Sequence, residues 1–174
     1  MAAARNARNV VLIGMRGSGK TTVGRALASA LERAFLDLDD EVARIAGVSA
    51  DELLATRGEP AFRTIEARAL QHAATLKGHV IATGGGAVLH AREFAALAAT
   101  GAVVYLQAPA DLLVARGAAR PRPALTELPP AQEVAALLAR REPLYRASAQ
   151  IIIPAGSADP ILAALQALRE RDEA

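Results

Sequence analysis

The stretch Val10-Val11-Leu12-Ile13-Gly14-Met15-Arg16-Gly17-Ser18-Gly19-Lys20-Thr21-Thr22 joins a short apolar run to a glycine-rich turn and then opens into helical period. From Gly14 to Thr21 it fits G-x-x-x-x-G-K-[ST], in the context the motif requires: a strand before it and a helix after it. Glycines let the backbone curl until several N–H groups point at one anion, and the helix N-terminus adds the positive end of its dipole. Lys20 then reaches β- and γ-phosphate oxygens, and the Thr21 hydroxyl is available to Mg²⁺. Gly14, Gly17, Ser18, Gly19, Lys20, Thr21 and Thr22 are therefore expected to bind ATP. The motif alone does not name a reaction, because hydrolases, motors and small-molecule kinases share it.

Working outward, short apolar runs alternate with segments of helical period, the pattern of a parallel sheet wrapped by helices, so the class is α/β. Strands are expected at 10–13, 35–38, 80–82, 102–106 and 150–153, mostly apolar on both faces. Val23, Leu27, Ala30 and Leu31 form the apolar stripe of the helix after the glycines. Ser49-Ala50-Asp51-Glu52 is a capping box, Arg57-Gly58 closes a short helix, and a longer helix is expected over about 59–76. Four prolines (Pro121, Pro123, Pro129 and Pro130) mark 117–130 as a loop suited to act as a mobile lid.

With 174 residues the chain fits one domain spanning 1–174. Twenty basic residues against 18 acidic leave a net charge of +2, too small to argue for nucleic acid or membrane as the main partner. The aromatic residues do not cluster with basic ones, and no run approaches the roughly 20 apolar residues of a membrane span. Cysteine is absent, which excludes thiolate chemistry and suits a reducing cytoplasm. No long apolar stripe is left over after the core faces are assigned, so a monomer is expected.

Candidates for the second substrate lie elsewhere. Asp37 and Asp39 stand two apart at the end of the second strand, where alternation sends both to one side and where open α/β sheets collect their ligands. One suits Mg²⁺ through water and the other suits a hydroxyl proton, the alternative being that Asp39-Asp40 is an N-cap. Near the start of the longer helix Glu66 shares a face with Phe62 and also reaches Arg63 at i+3, either as a guanidinium held ready for a carboxylate or as a surface ion pair over a core phenylalanine. Thr83-Gly84-Gly85-Gly86 follows the third strand, and three glycines in a row point to close approach between backbone and ligand. Arg116, Arg120, Arg122, Arg140 and Arg141 each read alone as surface residues. His72, His79 and His90 have no metal-ligand spacing and receive no role.

Together these segments resemble the shikimate kinase family, from Val11 to about Pro160. The resemblance rests on residues 14–21, Phe35-Leu36-Asp37-Leu38-Asp39, Gly58-Glu59-Pro60-Ala61-Phe62-Arg63 with Glu66, Gly84-Gly85-Gly86, Arg122-Pro123 and Arg141-Glu142-Pro143-Leu144-Tyr145. It implies a P-loop fold like that of the nucleoside monophosphate kinases, with parallel strands in the order 2-3-1-4-5 and a mobile lid. The implied reaction moves the γ-phosphate of ATP to the 3-hydroxyl of shikimate. Asp39, Phe62, Arg63, Glu66, Gly84, Gly85, Gly86 and Arg141 would form the shikimate site, Asp37 and Thr21 would attend to Mg²⁺, Arg122 would close onto the transferring phosphate with Lys20, and Arg116 would lie against adenine. Three departures stand out: Ala124 follows Arg122-Pro123 where a leucine is usual, Pro121 is added to a shortened segment, and Pro154 replaces an aspartate. A catalytically silent sensor of the same fold, and a kinase for gluconate or an aminated shikimate, are the rival readings.

Overall fold

Every residue of β1 (Asn9–Ile13) is buried, as a strand covered on both faces must be, and it forms the centre of a five-stranded sheet. The computed structural model describes residues 8–119, 123–154 and 159–173. In it β1 pairs in parallel with β3 (His79–Ala82) and β4 (Gly101–Gln107). Outside these lie β2 (Ala34–Asp37), parallel to β3, and β5 (Ile151–Pro154), parallel to β4, giving the order β2-β3-β1-β4-β5. This is the order that the resemblance implies.

Strand alternation divides the core in two. Val10 and Leu12 meet Val80, Val104 and Leu106 on the face covered by α1 (Lys20–Ala30) and α7 (Pro160–Glu173). Val11 and Ile13 meet Ile81, Val103 and Tyr105 on the other face. There the cover comes from α2 (Leu38–Ala46), α3 (Ala50–Ala73), α4 (Ala91–Ala98), α5 (Ala110–Ala119) and α6 (Pro130–Ser148). A fully buried leucine or isoleucine such as Leu12 or Ile13 stabilises such a core by about 1.5–3 kcal/mol.

Several boundaries differ from expectation for identifiable reasons. β2 and β5 are edge strands, so they are only partly covered, with Ile152 and Pro154 exposed. Leu38 is not strand but the first residue of α2, because the Asp37 side chain accepts the Asp39 N–H at 3.0 Å and caps the helix there. Asp39 thus stands in the first turn of a helix, and strand alternation does not explain its direction. The two helices expected around Gly58 are both present within α3, separated by the non-helical Gly58 (φ 76°, ψ 173°), and the second ends at Ala73 rather than near 76. Ser49 Oγ accepts the Glu52 N–H at 3.1 Å, as a capping residue should. Residues 117–119 belong to α5 instead of a loop, so the irregular part of the expected lid begins later. No helix among the described residues is long and apolar enough to cross a membrane.

Candidate active site

Gly14, at φ 143°, turns the chain out of β1 beneath the end of β4; a Cβ there would stand 2.6 Å from the Leu106 carbonyl oxygen. Gly17 and Gly19 also have positive φ, and Gly19 opens α1 without a side-chain cap, leaving the first amides of that helix facing the loop. Lys20 is buried, and its Nζ donates to the carbonyls of Gly14 and Met15 at 2.8 Å each, which holds the ammonium across the loop. The buried Ser18 hydroxyl has no hydrogen-bond partner among the described residues, an arrangement that suits an anion in the cradle. Thr21 Oγ1 donates to Asp37 Oδ2 at 2.7 Å, so two hard oxygen donors meet where the phosphate loop faces the end of β2. Arg116 reaches from α5 to donate to the Gly17 carbonyl at 2.8 Å.

Beside this loop the three glycines after β3 form a hub. A Cβ at Gly84 would stand 2.6 Å from Glu66 Oε1 and 3.7 Å from Asp39 Oδ1. At Gly85 it would stand 3.0 Å from the Arg16 amide nitrogen and 3.6 Å from Arg141 Nη1, and at Gly86 2.2 Å from Arg63 Nη1. Asp39, Arg63, Glu66 and Arg141, drawn from three helices, therefore converge on one backbone segment whose middle residue touches the phosphate loop. The expected close approach at the glycines is between backbone and these side chains. The Tyr145 hydroxyl donates to the Gly85 carbonyl and lies beside Arg141, one helical turn away on α6.

Arg63 and Glu66 are not a surface pair. Glu66 is 1 % exposed and accepts Arg63 Nη1 at 2.6 Å. Burial pushes its carboxyl up, but His90 and Arg63 outweigh that and hold it below the ordinary carboxylate range. Burial likewise pulls Arg63 down, and the carboxylates of Glu66 and Glu59 more than reverse the effect. Glu59 Oε1 takes Arg63 Nε at 3.1 Å and Nη2 at 2.8 Å, while the guanidinium carbon sits 5.4 Å from the centre of the Phe62 ring.

The shikimate kinase family model matches residues 16–170. The chain belongs to the shikimate kinase family. Among similar proteins, the shikimate kinase of Oleidesulfovibrio alaskensis is 47% identical over 150 residues, covering 84% of this chain and 87% of that protein. That of Bordetella pertussis is 43% identical over 149 residues, covering 85% and 71%. A solved structure, the shikimate kinase from Acinetobacter baumannii in complex with shikimate, superposes with a TM-score of 0.88 at 37% identity, covering 99% of this chain and 97% of that one.

Of the residues picked out by sequence, the structure gathers Thr21 with Asp37, and Asp39, Arg63, Glu66 and Arg141 around Gly84, Gly85 and Gly86. Arg120 and Arg122 lie outside the described residues. Sequence reasoning missed His90, whose Nε2 lies 2.9 Å from Glu66 Oε2, and Glu59 as a partner of Arg63. It also missed Arg16, which donates to the Pro123 carbonyl at 3.1 Å, and Glu133 on α6. Tyr145 carried a usable signal, because four residues from Arg141 it had to share that residue's face. Glu59 carried one too, standing four residues before Arg63 on α3. His90, Arg16 and Glu133 meet their partners across separate elements, and no spacing announces them.

Proposed function

We propose that this chain transfers the γ-phosphoryl group of MgATP to the 3-hydroxyl of shikimate, giving shikimate 3-phosphate and ADP. The observation that supports this reading most is the convergence of Arg63, Arg141 and Asp39 on a glycine segment that abuts the phosphate loop. Two guanidiniums beside one carboxylate suit a substrate that carries a carboxylate and a hydroxyl on one rigid frame. Arg63 and Arg141 take the carboxylate of shikimate, and the ring hydroxyls fall beside Asp39. Asp39 takes the proton of the 3-hydroxyl as its oxygen forms a bond to the γ-phosphorus; the bond from that phosphorus to the bridging oxygen of ADP breaks. Gly14, Gly17, Ser18, Gly19 and Thr22 line the phosphates, and Lys20 leaves its loop carbonyls for the β- and γ-oxygens.

Magnesium, when bound, neutralises charge on those oxygens, and the Thr21 hydroxyl and the Asp37 carboxylate are the residues suited to hold it. Arg116 packs on the loop where a flat cation can cover adenine, and Arg122 closes onto the transferring phosphate. The same reading makes 1–174 one domain, acting as a cytoplasmic monomer.

The test is shikimate-dependent ADP release from MgATP, with gluconate and no acceptor as controls and Asp39→Asn alongside. Turnover with shikimate that Asp39→Asn lowers by about 10²–10⁴-fold supports both the reaction and the role of Asp39. Turnover of gluconate in its place assigns the site to another polyol acid. Binding of shikimate or ATP without turnover of any acceptor replaces the enzyme with a sensor.

A further inference from the structure

Among the described residues, Glu66 Oε2 has two donors: Arg63 Nη1 at 2.6 Å and His90 Nε2 at 2.9 Å. The Glu66 side chain is 2% exposed and that of His90 14%, so water contributes little to holding this carboxylate. Its other oxygen lies tight against Gly84. Glu66 comes from the middle of α3, whereas His90 closes the short 3₁₀ turn Ala87–Leu89 and precedes α4, so the contact ties the glycine segment to the helix that carries Arg63.

The arrangement decides how Arg63 is used. A guanidinium has five N–H donors. Arg63 gives Nε and one N–H of Nη2 to Glu59, and one N–H of Nη1 to Glu66. Among the described residues, one N–H remains on each terminal nitrogen, enough for an incoming carboxylate. A carboxylate as buried as Glu66 needs more than one donor to stay ionised. Were Arg63 its sole partner, both terminal nitrogens would be drawn to it. His90 supplies the second donor and lets Arg63 meet Glu66 through a single nitrogen.

We propose that His90 is a positioning residue for the acceptor-carboxylate site: its Nε2–H holds the Glu66 carboxylate that in turn aims Arg63. This rests on the reading above that Arg63 takes the carboxylate of shikimate. It requires the tautomer protonated at Nε2, since a carboxylate only accepts.

The test compares His90→Ala, His90→Gln and His90→Asn in the full chain, measuring KM for shikimate, KM for ATP and Tm. A glutamine amide reaches about as far as Nε2, whereas an asparagine amide stops near Nδ1. The alanine and asparagine variants should raise KM for shikimate about tenfold, with KM for ATP within about twofold, and glutamine should restore most of the loss. Should the alanine variant fail to fold, the glutamine–asparagine pair carries the comparison. The proposal is overturned if all variants keep the parent KM for shikimate, if glutamine does no better than asparagine, or if both KM values rise together. Arg63→Lys, run in parallel, separates the two readings. An unchanged KM for shikimate there removes the acceptor-carboxylate role of Arg63 itself, whereas a raised value beside inert His90 variants removes only the role of His90. If no acceptor is turned over, calorimetric binding of shikimate replaces KM under the same criteria.

Discussion

Gly86 has ordinary backbone angles, φ −97° and ψ −1°, so nothing in its conformation calls for glycine. What excludes a side chain is Arg63, whose Nη1 and Cζ would lie 2.2 and 2.8 Å from a Cβ at that position. Because those atoms end a flexible side chain, Gly86→Ala should leave the fold intact, displace Arg63 and raise KM for shikimate by about tenfold or more. Steady-state kinetics beside a thermal melt would check this, and an unchanged KM with an unchanged Tm would contradict it. Gly14 is the opposite case: its φ of 143° and the Leu106 carbonyl 2.6 Å from a Cβ set a side chain against backbone that cannot step aside. In the sequence the two glycines look alike. The motif made Gly14 legible, but only the fold, by bringing Arg63 against it, gives Gly86 its reason.

At the scale of elements, the helix break at Gly58 could be read ahead of the structure because glycine followed by Pro60 is local chemistry. The end of β2 could not. Phe35-Leu36-Asp37-Leu38 reads as a strand to its last residue, and the cap made by Asp37 overrides that pattern one residue early. The connection between α5 and α6 hides a similar device. Glu133 Oε2, on the first turn of α6, accepts the amides of Leu125 and Thr126 at 2.9 and 2.7 Å and the Thr126 hydroxyl at 2.8 Å. Arg16 holds the Pro123 carbonyl from the phosphate loop. The root of the proposed lid is thus tied both to α6 and to the loop on which it would close. Three hydrogen bonds to one carboxylate should protect those amides. Glu133→Ala should speed hydrogen exchange at Leu125 and Thr126 by about tenfold or more, leave β1 and β4 unaffected, and show Glu133→Gln in between. Equal exchange in parent and variant would mean that the clasp does not hold in solution.

For the molecule as a whole, the five strands and the two apolar faces were legible because a parallel sheet buried on both sides imposes short apolar runs, whereas the strand order followed only from the family resemblance. The hub was less so, since Gly84–Gly86, Arg63, Arg141 and His90 meet only when α3, α6 and the segment after β3 pack on the same face of that sheet. The same packing encloses the only two tyrosines and so gives the fold an alkaline limit. Tyr105 and Tyr145 are 1% and 0% exposed, with ring centres 5.1 Å apart. Burial, aided by the negative charge of Glu142, pushes Tyr105 up to about 12, and burial pushes Tyr145 higher still. Both phenols are thus neutral in the fold at a pH where the unfolded chain, with ordinary values near 10, releases their protons. Their contribution to stability is complete below about pH 10 and is lost as pH rises through the folded values. Absorbance at 295 nm should therefore show almost no phenolate in the folded chain at pH 10.5, where an unfolded sample is more than half ionised, and Tm should fall steeply above pH 10. The two hydroxyls differ in their use. That of Tyr145 donates to the Gly85 carbonyl, whereas that of Tyr105 is buried with no partner among the described residues. At neutral pH, Tyr145→Phe should cost about 1 kcal/mol, while Tyr105→Phe should cost nothing or gain about 1 kcal/mol by removing an unsatisfied hydroxyl. A denaturant titration in which Tyr105→Phe proved the more damaging change would place an undetected partner on that hydroxyl and reverse the assignment.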